Sequence, residues 1–238
     1  GAAGVGHYLN DWTDVDQDAK VGKDNGAKAH STPKRWMILI GLTALAILPW
    51  LLYFTVSKSL VENEGTFSGS NVLLLVALHL AAFALYSVPP VRLKEKGVWG
   101  MLLDALYAHA IPSLVVVSFF GITDMMLLSI LFAWQFFVGI RHIGFHQIQD
   151  IEKDKSAGVS TFAITANSEK IFQLLVWVVL PLELICFVLF AILSGFYWLL
   201  LVYLVFVGWR YILSRAWEIS SEKKERSMQL TGAFVSNF

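Results

Sequence analysis

Ile171-Phe-Gln-Leu-Leu-Val-Trp-Val-Val-Leu-Pro-Leu-Glu-Leu-Ile-Cys-Phe-Val-Leu-Phe-Ala-Ile-Leu193 runs for 23 residues with one charged side chain, Glu183. A helix needs roughly 20 such residues to cross a hydrocarbon core about 30 Å thick. Five further stretches read the same way, at approximately 36–56, 72–90, 98–120, 122–144 and 195–213. They are continuous and Leu-rich, whereas barrel strands alternate in segments of about 10 residues, so helices are the spanning solution that satisfies the backbone. The spacing predicts an all-α, polytopic transmembrane helix bundle. Composition agrees, with 15% charged residues against roughly 25% in soluble domains, and a formal net charge of zero that points to no nucleic-acid partner. The single cysteine, Cys186, lies inside the quoted block and reads as a small buried hydrophobe.

Working outward from the spans, the loops sort by charge. Lys20, Lys23, Lys28, Lys34 and Arg35 precede the first stretch, and Arg92, Lys94 and Lys96 return to the same side. Arg141, Lys153, Lys155 and Lys170 follow there, then Arg210, Arg215, Lys223, Lys224 and Arg226, leaving only Lys58 of 18 basic residues on the other face. Cytoplasmic loops carry such an excess, so this face is expected to be cytoplasmic. Gly1-Ala-Ala-Gly-Val-Gly6 reads as the tail of a closely packed membrane helix, and Gln229–Phe238 as the start of another, so residues 1–238 are expected to be one domain cut at both ends.

The acids gather on that same face. Asn10, Asp14 and Asp18 recur every four residues, with Asp11 three before Asp14, so a helix continued through them projects these groups from one side. Like charges at this spacing repel, which suggests a cation between the carboxylates, although a solvated acidic loop balanced by Lys20 and Lys23 would account for the spacing as well. His142, His146, Asp150 and Asp154 form a second four-residue stripe. Carboxylates with an Asn amide are hard ligands suited to Mg²⁺ shared with phosphates, and no Cys/His spacing favours zinc. Arg92, Lys94, Arg141 and Lys155 are placed to neutralise phosphate charge, and His146 to bind phosphate or a second substrate. Acids, Mg²⁺ and bases beside a bilayer describe a lipid diphosphate site, with Mg²⁺ stabilising the leaving group.

Inside the spans, Asp104 and Tyr107 stand at i and i+3, for acceptor binding, proton removal or an interhelical hydrogen bond. Glu183, after Pro181, reads as structural, and His79 and His109 as core histidines.

These residues resemble the UbiA superfamily of intramembrane prenyltransferases. Asn10, Asp11, Asp14 and Asp18 are similar to its NDxxDxxxD motif, and Asp150 and Asp154 to its DxxxD motif, continued by Lys155-Ser-Ala-Gly158-Val-Ser-Thr161. Tyr86-Ser-Val-Pro89-Pro90-Val-Arg92-Leu-Lys94 is a third match. The resemblance implies a nine-helix family fold, and a transfer of a prenyl group from an isoprenyl diphosphate to a lipophilic acceptor. It further implies that the matched Asn and Asp residues hold Mg²⁺ and diphosphate while Tyr86, Arg92 and Lys94 line the reaction site. Val15 stands where many members carry a basic residue, and the segment Ala19–Gly26 departs from members acting on chlorophyll or haem precursors, so those acceptors are less expected; a quinone or phenol precursor is the first acceptor expected and an isoprenoid or carotenoid the second. A transporter fits less well because the acids lie at one surface, and a CDP-alcohol phosphotransferase because its Gly and Ala-Arg pair are missing after Asp14.

Overall fold

The computed structural model describes residues 1–20, 22–60, 69–120, 122–158 and 161–220. They are almost wholly helical, and among them no strand forms; one parallel bridge joins Gly97 to Thr161. In chain order the helices are α1 (Ala2–Lys20), α2 (Thr32–Leu60), α3 (Gly69–Ser87), α4 (Val98–Phe119) and α5 (Met125–Gln149). After these come α6 (Ile151–Ala157), α7 (Phe162–Thr165), α8 (Ser168–Leu193) and α9 (Trp198–Ser220).

Among the described residues four helices are long and apolar enough to cross a membrane, α2 over Thr32–Tyr53, α4, α5 and α8, and shorter apolar runs occupy Val72–Ser87 and Trp198–Trp209. All six expected stretches are therefore helical, with shifted ends. The second stops at Ser87 because Pro89 and Pro90 follow. The fourth begins at Met125, where the Asp124 carboxylate accepts from the Met126 and Leu127 amides, and nothing breaks it before Gln149. Lys223, Lys224, Arg226 and the helix expected from Gln229 lie outside the described residues.

Both α4 and α8 contain a π-helical turn, Leu106–Ala110 and Leu175–Val179, closed by the Ile111 amide on the Leu106 carbonyl and the Leu180 amide on Leu175. In each case a proline, Pro112 or Pro181, comes next. A proline has no amide and crowds the carbonyl four residues back, so the wider turn absorbs the misfit.

These two bulged helices flank α5 at its glycines. A Cβ on Gly139 would stand 2.6 Å from the Ala105 Cα, so that crossing requires glycine, and one on Gly144 would stand 2.7 Å from the Leu175 side chain, which would have to shift. Met101, Ala105, Ile140, Phe145, Ile171 and Leu175 fill the resulting core. At the far end, Val72, Val76 and Val115 pack with Trp50 and Ile111 to join α2, α3 and α4. Helix α1 lies against α2 and α3, which brings its acidic half beside the loop that follows α3. Exposed Trp36 and Trp99 mark one end of the bundle and exposed Phe120, Tyr197 and Trp198 the other, as aromatic residues do at membrane interfaces.

Candidate active site

Helix α1 does continue through the first acidic stretch, and Asp14 and Asp18 are buried while Asp16 points outward. The loop after α3 supplies their partners. Lys94 Nζ donates to Asn10 Oδ1 at 2.8 Å and to both Asp14 carboxylate oxygens. Burial pulls the Lys94 ammonium below its ordinary value, while its bonds to Asp14 work in the opposite direction. Arg92 spans the same groups: Nη2 donates to Asp14 Oδ1 at 2.8 Å and to Gln17 Oε1, Nη1 to the Thr13 carbonyl at 3.1 Å, and Nε to Glu95 Oε1 at 2.6 Å. Its backbone has φ 39°, the left-handed region that non-glycine residues seldom occupy, and this set of bonds holds it there. Burial would raise the Glu95 carboxyl, but its bonds to Gln17 and Arg92 bring it below the ordinary glutamate value. Ser87 Oγ completes the ring with a 3.3 Å bond to Asn10 Oδ1.

Asp18 faces a different neighbourhood. The Asn25 amide donates to its Oδ2 at 2.8 Å and to the Asp11 carbonyl at 2.8 Å, Lys23 stands 3.3 Å from Oδ1, and the Ala27 amide bonds back to Asn25 Oδ1. Asn25 thereby folds the loop onto the end of α1.

The second stripe keeps its four-residue backbone bonds, from the Asp150 amide to the His146 carbonyl at 3.0 Å and from the Asp154 amide to the Asp150 carbonyl at 2.8 Å, across the junction of two helices. Asp150 ends α5 with φ −96° and ψ 4°, and Asp154 belongs to α6. His146 Nδ1 lies 3.0 Å from Asp150 Oδ2, and its side chain is 71% exposed at this end of the bundle. Tyr86 stands within electrostatic reach of Asp14, Asp104 and Asp154, so one phenol senses carboxylates from both stripes, and α6 packs on α1. Among the described residues no three carboxylate, histidine or cysteine groups gather as a metal centre.

Two acidic stripes thus lie at one end of an apolar helical bundle, and residues 1–238 match the UbiA prenyltransferase family throughout. The chain belongs to the UbiA prenyltransferase family. It is an integral membrane protein of a family of prenyltransferase enzymes. No curated protein and no solved structure matches it.

Other candidate residues of this UbiA member separate into those near the paired stripes and those apart from them. Tyr107 donates to Asp104 Oδ1 at 2.5 Å, and its ring meets Tyr86 edge-on at 5.0 Å and Phe83 at 4.6 Å. Arg141, expected at the phosphates, is not brought there. It is wholly buried, with Nε donating to Glu183 Oε2 at 2.6 Å and Nη2 to Oε1 at 3.0 Å, so α5 and α8 are clamped by a bidentate pair. Lys155 is exposed and lies 3.4 Å from Glu152. His142 meets His109 edge-on at 5.1 Å, and His79 stacks on Phe83 at 4.8 Å. Sequence reasoning missed Gln17, Asn25 and Glu95; only Glu95, three residues after Arg92, carried a local signal as its ion-pair partner.

Proposed function

We propose that residues 1–238 act as one membrane prenyltransferase domain, moving the prenyl group of an isoprenyl diphosphate onto a lipophilic acceptor with Mg²⁺ as cofactor. The observation that supports it is the convergence of two partly buried cations on Asp14, one of them also on Asn10, with Tyr86 in reach of both acidic stripes. Three oxygens from Asn10 and Asp14 already surround one positive atom, Lys94 Nζ, and such a hard donor set suits Mg²⁺. Asn10, Asp11, Asp14, Asp18, Asp150 and Asp154 would hold it, and when bound it supplies Lewis-acid stabilisation of the departing diphosphate.

The chain's own residues do the rest. Arg92 and Lys94 turn from Asp14 to phosphate oxygens, trading one charge-assisted partner for another. Asp18 joins the site when the Asn25 and Lys23 loop releases it. Phe83, Tyr86 and Tyr107 offer aromatic faces to the allylic cation, and the apolar tail lies between helices. His146 orients Asp150 through the contact at 3.0 Å. Arg141 and Lys155 have no part in this reading. The basic-rich end is the cytoplasmic one, by its excess of lysine and arginine.

The test is transfer of radiolabel from farnesyl and geranylgeranyl diphosphates into a host membrane lipid extract, by protein in nanodiscs with and without Mg²⁺. Transfer is expected to need Mg²⁺ and to vanish in Asp14→Asn and in Asp150→Asn with folding retained. Full activity in both variants refutes the proposal.

A further inference from the structure

One acid within the spans, Asp104, takes no part in those steps. Asp104 lies in α4, on the turn before the π segment, and it is partly exposed. Its Oδ1 is taken by Tyr107 at 2.5 Å, and no other partner holds the carboxylate among the described residues. Tyr107 is the second residue of the π-helical turn, at i+3 from Asp104 on the same face. Its ring is wedged between Phe83 and Tyr86 at 4.6 Å and 5.0 Å, with His79 stacked behind Phe83 at 4.8 Å. The hydroxyl therefore has little freedom, and it fixes which carboxylate oxygen is left over, Oδ2.

Position and charge define what that oxygen can meet. Tyr86 touches Tyr107 on one side and senses Asp14 and Asp154 on the other, so Asp104 borders the space where the prenyl carbon would lie. Among the described residues no lysine or arginine pairs with it: Arg141 is forked onto Glu183, and Arg92 and Lys94 lie on Asp14. A carboxylated acceptor would bring a second negative charge beside Asp104 with no lysine or arginine paired there to offset it.

We propose that Asp104 is the general base that takes the acceptor's proton, that Tyr107 is its positioning residue, and that the acceptor is an uncharged hydroxylated ring. This rests on the prenyl-transfer reading. The bond from the prenyl carbon to the diphosphate oxygen breaks with its electron pair leaving on oxygen. An electron pair of the acceptor forms the new bond to that carbon, and the acceptor's proton passes to Asp104 Oδ2 and then to solvent. Prenylated acceptor, diphosphate and one proton balance the reactants.

Azide provides the deciding probe, because it captures a prenyl cation without a proton to lose. Nanodisc protein is incubated with Mg²⁺, labelled farnesyl or geranylgeranyl diphosphate and either membrane extract or azide, and prenyl azide is measured by mass spectrometry. Asp104→Asn is expected to bind prenyl diphosphate as the wild type does and to lose roughly 100-fold or more in transfer to extract. It is also expected to form more prenyl azide than the wild type, since the repelling charge is gone. Asp104→Glu is expected to recover part of the transfer, and Tyr107→Phe to lose about 10-fold of it with azide capture unchanged. Transfer by Asp104→Asn within twofold of wild type, or azide capture no higher, overturns the assignment. So does loss of diphosphate binding in Asp104→Asn alone. Absence of Mg²⁺-dependent diphosphate binding in the wild type instead defeats the prenyl-transfer reading, and the assignment with it.

Discussion

Arg92 and Arg141 are both arginines bonded to carboxylates, and they do opposite work. Arg141 has no exposed surface, and its Nε and Nη2 donate to the two oxygens of the Glu183 carboxylate in a fork across α5 and α8. Arg92 is 12% exposed, shares its guanidinium among Asp14, Gln17, Glu95 and the Thr13 carbonyl, and sits in a loop with a left-handed backbone. A cation forked onto a buried, geometrically matched carboxylate is a strut, because exchanging that partner would leave a charge stranded in the membrane. A cation with several partners at an opening can exchange one for a substrate oxygen at little cost. The access to solvent and the geometry of the pairing separate the two roles, where residue type and charge do not.

The largest expected effect breaks the strut. Arg141→Met strands Glu183 and should lower unfolding stability by about 3–5 kcal/mol. Arg141→Met with Glu183→Leu should recover most of that loss, as read by thermal unfolding in detergent. If the single variant unfolds like wild type, Arg141 is no strut. The next tests its counterpart: Arg92→Gln should reduce prenyl transfer roughly 10²–10³-fold, as loss of one preorganised charge contact does, with the unfolding midpoint nearly unmoved. A large shift in midpoint with normal activity would reverse the comparison.

Two smaller effects sharpen it. Gly139 lies two residues before Arg141 and sets how closely α5 meets α4, so Gly139→Val should destabilise by about 1–3 kcal/mol through overpacking at the Ala105 backbone. Least affected is Glu95, the acid on Arg92. Its carboxyl is held below its ordinary value near 4.5, so its contribution is present above that pH and is lost as pH falls through the lower folded value. Glu95→Gln should therefore flatten the acid limb of the unfolding midpoint, by about 0–1 kcal/mol at most for so exposed a pair.

The spans were legible because long apolar runs leave the backbone no alternative to a helix, and the acids of α1 because a helical repeat of four keeps Asn10, Asp14 and Asp18 on one side. The same repeat carries His146, Asp150 and Asp154 across the junction of α5 and α6, where the backbone bonds of that spacing persist. The partners of the two arginines were hidden by distance along the chain, 42 residues from Arg141 to Glu183 and 78 from Arg92 to Asp14. Only packing decides which distant acid a cation meets. The bulge before Pro112 was likewise hidden, since a proline announces a misfit without saying which turn widens to absorb it.

The most direct measurement of the central claim is binding of a non-hydrolysable farnesyl or geranylgeranyl thiolodiphosphate to the protein in nanodiscs, with and without Mg²⁺. It would be made on wild type, Asp14→Asn, Asp150→Asn and the Arg141→Met, Glu183→Leu pair. Mg²⁺-dependent binding that is lost in both aspartate variants and kept in the arginine pair is the expected result. Binding that ignores Mg²⁺ and survives both aspartate changes would contradict the account.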